Sequence, residues 1–189
     1  SSTVVQSLFD DNTKAEQAKV ERLLGTVGKG DHDASTNPYA IGKELGEEMT
    51  AACTVVRTEG RLKQCLAKLD TLQDRYSKAV LSDAAAWSNQ SLGYARSVGD
   101  MLVLARALAL GALERRESRG AHYRADFTQR NDVDFMKTSR AKHDPATGQT
   151  TLDFVPIDAS LIAPTARTYG KKDDAPANKA EKPVPVGAA

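Results

Sequence analysis

The sequence predicts a mainly α-helical fold: a three- to four-helix bundle followed by a small β-hairpin module and a disordered C-terminal tail. Between residues 38 and 113, apolar residues recur mostly at three- and four-residue steps, which is the period of packed helices. Two extended segments then flank a turn. From Lys171 onward the composition has no apolar period and cannot offset its ordering entropy. We therefore divide the chain into a helical bundle (1–127), a linker with the hairpin module (128–170) and a tail (171–189).

The first two predicted helices are separated by a stretch of turn-forming residues. Capping side chains occupy residues 10–13, so a first helix is expected from Lys14 to about Val27. The turn-forming stretch ends in Asn37 and Pro38, a helix cap and a first-turn proline. A second helix is predicted to begin there, with one apolar stripe facing a core, made of Ile41, Leu45, Met49, Ala52, Val55 and Val56.

Two further helices complete the predicted bundle. Thr58 can cap a third helix that runs to about Ala79 and has a regular apolar stripe, made of Leu62, Cys65, Leu66, Leu69, Leu72 and Tyr76. After Ser88 and Asn89, a fourth helix of about 30 residues is apolar on most of its sides. A helix of that kind is buried on nearly all sides, so we expect it to be central, with the other three packed around it.

The fourth helix is predicted to end within residues 117–124, which read Glu-Ser-Arg-Gly-Ala-His-Tyr-Arg. Gly120 suits the position just past a helix, where a left-handed backbone costs glycine almost nothing. Arg115, Arg116 and Arg119 would then lie in the last turn, where cations complement the helix dipole. A dense set of polar donors therefore begins where the helical pattern stops.

The region after the bundle is predicted to be a charged linker and a hairpin. Residues 126–134 form the linker, and residues 135–143 and 150–157 are extended segments around the turn at 144–148. An isolated two-stranded ribbon is marginal in water. Its apolar side chains must therefore lie against the helices or another body; they are Phe135, Leu152, Phe154 and Val155.

Composition excludes several classes of protein. The 189 residues carry 26 basic and 25 acidic side chains, so nothing in the charge balance indicates a nucleic-acid partner. The longest apolar run, Met101 to Leu113, contains Arg106 and is too short for a direct membrane span. Cys53 and Cys65 lie at apolar helical positions, which favours a reduced, buried pair over a disulfide or a metal site. With the three histidines spread along the chain, we predict no metal.

Five blocks of sequence carry a resemblance to a known family. The blocks are Val56-Arg57-Thr58-Glu59, residues 112–127 around Glu-Ser-Arg-Gly-Ala-His, residues 130–138, Thr151-Leu152-Asp153-Phe154 and Pro164-Thr165-Ala166-Arg167-Thr168-Tyr169-Gly170. In this order they resemble the C-terminal third of the flavoprotein subunit of fumarate reductase and succinate dehydrogenase, and the resemblance covers about residues 38 to 170.

The resemblance implies that the chemistry lies outside this chain. In the family, the Gly-x-Gly-x-x-Gly loop, the flavin-bonded histidine and the substrate-binding residues belong to the flavin and capping domains. No residue here matches them, so we expect no catalytic, cofactor-binding or metal-binding residues, and no turnover by the chain alone. FAD would be bound in the intact flavoprotein, which interconverts succinate and fumarate coupled to quinone. The implied partners are the flavin and capping domains, an iron-sulfur subunit and a membrane anchor, on the cytoplasmic side of the bacterial inner membrane.

The candidate functional residues are those of the polar segment after the fourth helix. We interpret them as inter-domain anchors that fasten the bundle to the rest of the flavoprotein by charge-assisted hydrogen bonds; they are Glu117, Ser118, Arg119, Gly120, His122 and Arg124. Arg119, His122 and Arg124 could instead form a dicarboxylate site, and His122 could be a general base. We expect Glu117 to pair with a nearby arginine.

Two alternatives to this reading stay open. The chain could be a free-standing helical module that binds another protein, or the matching domain of an L-aspartate oxidase, a relative that shares the Glu-Ser-Arg-Gly turn. Without a flavin domain, the side of the fourth helix and the 119–124 segment would expose an apolar and basic patch. The isolated chain is then expected to dimerise or aggregate. The direction of the reaction cannot be read from this region, although the Lys, Ala and Asp tail favours fumarate reductase weakly.

Overall fold

Five helices and four short strands make up the part of the chain that the structure, a computed structural model, describes: residues 2–29, 35–85, 87–162 and 165. The elements are α1 (Ser2–Leu24), α2 (Pro38–Cys53), β1 (Val56–Arg57), α3 (Glu59–Ser77), α4 (Gln90–Glu114), β2 (Tyr123–Arg124), α5 (Asp132–Phe135), β3 (Lys137–His143) and β4 (Thr150–Pro156). All belong to one compact unit, Ser1–Ile157, and Asp158–Ala189 forms a second. In the described part of the second unit, Ser160 N donates to Asp158 Oδ1 at 2.9 Å.

The main core lies between α2, α3 and α4, as the apolar stripes predict. Ten buried side chains form it, with large aliphatic groups of α2 and α3 packed against smaller ones of α4: Ile41, Leu45, Ala52, Cys65, Leu69, Leu72, Val98, Leu102, Ala105 and Ala109. A smaller cluster joins the end of α1 to α4 through Leu23, Leu81 and Ala95. The alanines of α4 allow the neighbouring helices to approach closely, which is why this helix can contact all of them.

The central position predicted for α4 is confirmed, because α4 contacts α1, α2, α3 and both hairpin strands. The prediction that it is buried on nearly all sides is wrong for one face, which agrees with the expectation that a side of this helix is exposed when the flavin domain is missing. Leu104 and Leu108 are 62% and 64% exposed, and Met101 is 38% exposed. Their spacing of three and four residues places them in one stripe on the solvent side of the helix.

Three helix starts are confirmed by their caps. The side chain of Asn37 accepts a hydrogen bond from Tyr39 N at 2.9 Å, with Pro38 as the first residue of α2. Thr58 accepts from Arg61 N at 3.4 Å at the start of α3, and Asn89 accepts from Leu92 N at 2.8 Å at the start of α4. Each cap satisfies an N–H group that has no partner inside its helix.

The start predicted for the first helix is wrong, because α1 begins at Ser2 and the capping residues 10–13 lie inside it. Their side chains are exposed, where aspartate and asparagine cost a helix little. Gln6 donates to Asp10 Oδ1 one turn away at 3.2 Å. The end of α1 is held to the bundle by Leu23, which is fully buried, and by Arg22, which donates to Ser77 O at 3.2 Å.

The predicted hairpin is confirmed, and it packs on α4. β3 and β4 pair antiparallel from Lys137↔Pro156 to His143↔Thr150. Phe135 and Phe154 meet edge to face with ring centroids 5.7 Å apart. The predicted linker at 126–134 contains the start of the short helix α5, which Asn131 caps by accepting from Asp134 N at 3.0 Å. The predicted tail (171–189) and most of the block at 164–170 lie outside the described residues.

A second, two-stranded sheet was not predicted. β1 and β2 pair in parallel, with Val56 opposite Tyr123 and Arg57 opposite Arg124. This pairing brings the start of α3 to the polar segment that follows α4. No helix in the described ranges is long and apolar enough to cross a membrane.

Gly99 marks a close approach of α3 to α4 that can be tested. A Cβ at this position would lie 2.5 Å from Tyr76 Oη and 2.8 Å from Tyr76 Cζ, whereas a Cβ at Gly93 would meet nothing within 4 Å. We expect Gly99→Ala to lower the free energy of unfolding by about 1–3 kcal/mol through overpacking. Gly93→Ala should instead raise it by up to about 1 kcal/mol through helix propensity. Urea unfolding followed by circular dichroism measures both, and equal effects would contradict the close contact.

Candidate functional site

The polar segment at residues 117–124, here called the anchor segment, begins after α4 has ended. The helix ends at Glu114 with Arg115 as its cap, so Arg115, Arg116 and Arg119 lie beyond the last turn, contrary to the sequence-based expectation. Gly120 does have positive φ, at 59°, but it forms a tight turn with Ala121. Arg119 and His122 close that turn by two backbone hydrogen bonds of 2.8 and 3.0 Å. Glycine is therefore required by the turn rather than by the helix end.

Glu117 is the buried anion at the centre of this region, with none of its surface exposed. Its carboxylate accepts from Arg115 Nη1 at 2.6 Å, from Arg119 Nε and Nη2 at 2.9 Å each, and from Asn131 N at 2.9 Å. Burial alone would raise the pKa of Glu117, but these hydrogen bonds outweigh burial and hold that pKa below its ordinary value. The predicted pairing of Glu117 with an arginine is confirmed.

Arg115 joins the end of α4 to the hairpin module. Its guanidinium donates to Phe135 O at 3.1 Å, to Lys137 O at 2.6 Å and to Ser139 Oγ at 3.0 Å. It also lies 5.6 and 5.7 Å from the ring centroids of Phe135 and Phe154, a cation–π geometry. Sequence reasoning assigned Arg115 only to the helix dipole. Two of its four hydrogen-bond partners are backbone carbonyls twenty or more residues away, for which no side-chain pattern exists.

Arg124 is the buried cation of the segment, again with no exposed surface. Nη1 donates to the carbonyls of Ala112 and Leu113 at 2.7 and 2.9 Å, so it satisfies two acceptors at the end of α4. Nε and Nη2 bind both carboxylate oxygens of Asp126 at 2.8 Å. Asp126 Oδ2 in turn accepts from Glu59 N at 2.8 Å. Through this chain of bonds Arg124 connects the end of α4 to the first turn of α3.

The Arg124–Asp126 pair predicts a loss of stability in acid. The hydrogen bond from Arg124 is the largest cause that lowers the pKa of Asp126 to about 2. An aspartate in the unfolded chain has a pKa of about 3.9. The folded pKa is therefore depressed, so the pair contributes fully above that unfolded value and is lost as pH falls through the folded value. We expect the free energy of unfolding to fall between pH 5 and pH 2.5, and Asp126→Asn to reduce that fall. An unchanged fall in the variant would contradict this coupling.

Ser118 and His122 complete the internal bonds of the anchor segment. Ser118 Oγ accepts from Arg124 N at 2.9 Å and donates to Phe127 O at 2.8 Å. His122 Nε2 lies 3.0 Å from Arg115 O, which makes Nε2–H the donor, and Nδ1 then faces Arg57 Nη1 at 3.5 Å. Burial, with the charges of Arg57, Arg124 and Arg115, lowers the pKa of His122. The neutral imidazole is therefore the form that fits between these arginines.

The charges of Glu117, Arg119 and Arg124 are matched within the chain. Arg124 uses Nε, Nη1 and Nη2 on groups of the chain itself, and Arg119 binds both Glu117 and Asp132, the latter at 2.6 Å. Such an arrangement braces the backbone and offers no free fork to a dicarboxylate from Arg124. In the ranges that the structure describes, no group of three His, Cys, Asp or Glu side chains is placed to hold a metal ion. The six predicted anchoring residues are thus brought together, mostly as partners of one another and their neighbours.

The surface beside the anchor segment is partly apolar. Val55 and Val56, at the start of β1, are 73% and 55% exposed. Tyr123, the residue opposite Val56 in the small parallel sheet, is 41% exposed. Arg116, Gly120 and Ala121 are exposed as well. Buried ion pairs therefore support a surface strip that carries both apolar and basic groups.

Comparisons with known proteins agree on one family. Residues 42–169 match the family model for the C-terminal region of the fumarate reductase flavoprotein. The chain is 40% identical over 166 residues to the succinate dehydrogenase flavoprotein subunit of Bacillus subtilis, an alignment that covers 88% of this chain and 27% of that protein. It is 35% identical over 170 residues to the fumarate reductase flavoprotein subunit of Escherichia coli, covering 89% and 28%.

A solved structure has the same fold. The E. coli quinol fumarate reductase superposes with a TM-score of 0.72 at 29% identity, covering 83% of this chain and 26% of that chain. This chain therefore spans little more than a quarter of the length of the relatives that it matches. The chain belongs to the fumarate reductase and succinate dehydrogenase flavoprotein family, as the C-terminal domain of the flavoprotein subunit.

Proposed function

We propose that this chain is a structural domain without chemistry of its own, and that it packs against the flavin domain of its flavoprotein. The observation that carries the proposal is the exposed stripe of α4, defined as Met101, Leu104 and Leu108. The opposite face of the same helix lies in the core, so α4 is a central helix with one side open. Burying exposed apolar surface stabilises a contact by about 25 cal/mol per Å², and such stripes commonly mark interaction sites.

The anchor segment supplies a second contact with the flavin domain. Its six residues Glu117, Ser118, Arg119, Gly120, His122 and Arg124 fix the shape of the segment. The neighbouring exposed groups make the contact, among them Arg116, Tyr123 and Val56. Burial supports this assignment of roles, because Glu117 and Arg124 have no exposed surface with which to contact a partner. We therefore propose that the six residues act as inter-domain anchors indirectly: they hold the segment in shape, and their exposed neighbours contact the flavin domain.

In the intact enzyme, the flavin and capping domains would bind FAD and the substrate, and succinate and fumarate would be interconverted with coupling to quinone. Electrons would pass to an iron-sulfur subunit, and a membrane anchor would hold the complex at the cytoplasmic side of the bacterial inner membrane. This chain would contact that machinery without entering the reaction. Alone, it is expected neither to bind FAD tightly nor to reduce a dye with succinate.

Co-expression with the flavin and capping domains of the same flavoprotein tests the proposal. We expect a 1:1 complex with bound flavin on size-exclusion chromatography. Leu104→Asp with Leu108→Asp should abolish that complex, because two carboxylates cannot be buried without partners. Val133→Asp is the matched control, since Val133 is 90% exposed on α5, outside the stripe. No complex with the unchanged chain, or equal loss in the control, would favour the free-standing binding module.

The exposed stripe also predicts self-association of the isolated chain. At tens of micromolar the chain is expected to dimerise or form larger species, because the stripe is covered by a second copy when the flavin domain is missing. Leu104→Asp with Leu108→Asp should shift the protein to monomer. Sedimentation velocity with and without the substitutions measures this. A monomer of the unchanged chain at high concentration would contradict the prediction.

A further inference from the structure

Arg57, between α2 and α3, is a half-buried cation that has no carboxylate partner in the described part of the chain. Its guanidinium donates through Nε and Nη2 to Cys53 O, at 3.1 and 2.7 Å, and through Nη1 to Ala121 O at 3.2 Å. Cys53 ends α2, and the dipole of a helix supplies only about half an elementary charge at that end. Part of the charge of Arg57 is therefore not balanced, although charged groups that leave water are normally paired.

The charge of Arg57 adds to that of other arginines around His122. Nη1 of Arg57 faces His122 Nδ1 at 3.5 Å, and His122 Nε2 lies 3.0 Å from Arg115 O. Burial is the main cause of the lowered pKa of His122, and the charges of the neighbouring arginines add to it. Arg115 in turn shares the single carboxylate of Glu117 with Arg119. The electrostatic potential around His122 is therefore positive.

Arg116 is a second cation without a carboxylate partner among the described residues. It is exposed, and it follows Arg115 directly, so its backbone begins at the carbonyl that His122 binds. Glu59, at the start of α3, does not balance this charge, because Lys63 Nζ holds its carboxylate at 2.5 Å. This part of the surface therefore carries an excess of positive charge.

Exposed apolar residues lie beside these cations in the chain. Val55, two residues before Arg57, is 73% exposed, and Ala121 is exposed next to His122. We define the arginine face as Arg57, Arg116, Val55 and Ala121. A mixed surface of this kind suits a protein segment better than a small free anion, because the anion would leave Val55 uncovered.

We propose that the arginine face docks an acidic segment of the flavin domain, whose carboxylates pair with Arg57 and Arg116 while an apolar side chain covers Val55. A guanidinium fork matches a carboxylate, and Nη2 of Arg57 has a second N–H group beyond the one that binds Cys53 O. Opposite charges that meet across a contact also steer the two surfaces together and reject wrong partners. This docking rests on the proposed function, because the flavin domain is its partner, and it adds the sign of the charge at the second contact.

The test is the affinity of the 189-residue chain for the flavin and capping domains of the same flavoprotein. It is measured at about 100 mM and about 500 mM NaCl, because salt screens exposed charges. We expect Arg116→Glu to weaken binding at the lower salt concentration by about tenfold or more and to remove most of the salt dependence. Lys78→Glu is the matched control and should change the affinity by less than about twofold. It alters the net charge equally, but Lys78 follows the far end of α3, about 28 Å from the start of that helix.

Arg57 requires two variants, because it also binds the end of α2. Arg57→Lys and Arg57→Gln both remove the guanidinium, but only the first keeps the charge. We expect Arg57→Lys to bind the flavin domain about fivefold more tightly than Arg57→Gln at the lower salt concentration. Circular dichroism verifies the fold of both variants. Equal affinities would contradict the pairing of Arg57 with a carboxylate.

Cross-linking identifies the carboxylates of the partner. Arg116→Lys places an amine on the arginine face, and a carbodiimide joins an amine to a carboxylate that it contacts. Mass spectrometry should find the linked residue to be an aspartate or glutamate of the flavin domain. Links only within this chain, or equal affinities of Arg116→Glu and Lys78→Glu, would overturn the acidic docking site and leave the proposed function standing. No complex with the unchanged chain would overturn both.

Discussion

Replacing Arg124 with leucine is expected to lower the free energy of unfolding by about 3–5 kcal/mol, as the removal of one partner from a buried ion pair does. The change leaves the carbonyls of Ala112 and Leu113 without their donor at the end of α4. It also leaves Asp126 without the guanidinium that binds both of its oxygens. Because Asp126 binds the first turn of α3 as well, the loss should extend to the contact between α3 and α4.

Urea unfolding followed by circular dichroism measures this effect, and Arg140→Leu is its control. Arg140 also binds an aspartate with two bonds, to Asp153 at 3.0 and 2.7 Å, but both side chains are more than half exposed. Exposed pairs contribute little, so the control should leave the urea midpoint almost unchanged. Similar losses of unfolding free energy in the two variants would show that Arg124 acts as an ordinary surface cation. That result would contradict its role in connecting the end of α4 to α3.

Replacing Glu117 with glutamine is expected to lower the free energy of unfolding by about 2–4 kcal/mol, the second large effect that we predict. The loss arises because a buried cation is left without its anion and because the new amide group points a donor at another donor. The glutamine has the same shape, but its NH₂ group must face one of the four donors that the carboxylate now accepts. Arg115 loses the anion that holds it between α4 and the hairpin. The hairpin should therefore loosen before the three-helix core does.

Hydrogen exchange distinguishes this outcome from general destabilisation. We expect faster exchange in β3, β4 and the anchor segment of Glu117→Gln, with α2 and α3 protected as before. Glu47→Gln is the control, because the Glu47 side chain is 66% exposed and lies 3.9 Å from Lys43, so it should change stability by less than about 0.5 kcal/mol. An equal increase in exchange rate across the whole chain would contradict the role of Glu117 in joining the helical bundle to the hairpin.

The helices were predictable because their signals are local. Asn37, Thr58 and Asn89 each stand immediately before an apolar period, and each side chain caps the helix that follows. The hairpin was predictable for a similar reason, since two extended segments flank turn-forming residues. The start of α1 was missed because Asp10 and Asn12, which cap helices in other contexts, are tolerated on its exposed side.

The site was predictable as a segment but not as a set of contacts. The density of charge at residues 117–124 marked it, and the pairing of Glu117 with arginine followed from charge alone. The direction in which Arg115 and Arg124 donate could not be read from the sequence, because carbonyl acceptors exist at every residue. The parallel pair of Val56 with Tyr123 joins residues far apart in the chain through only two residues per strand. Local patterns carry no information about such a pairing.

The most direct test of the central claim is the intact mass and flavin absorbance of the natively purified protein from its source. A structural C-terminal domain predicts a flavoprotein several times the 20.3 kDa of this chain, with the visible absorbance of bound FAD and with these residues at its C-terminal end. A native protein of 20.3 kDa without flavin would contradict the claim. The exposed stripe of α4 would then have to be the binding surface of an independent protein.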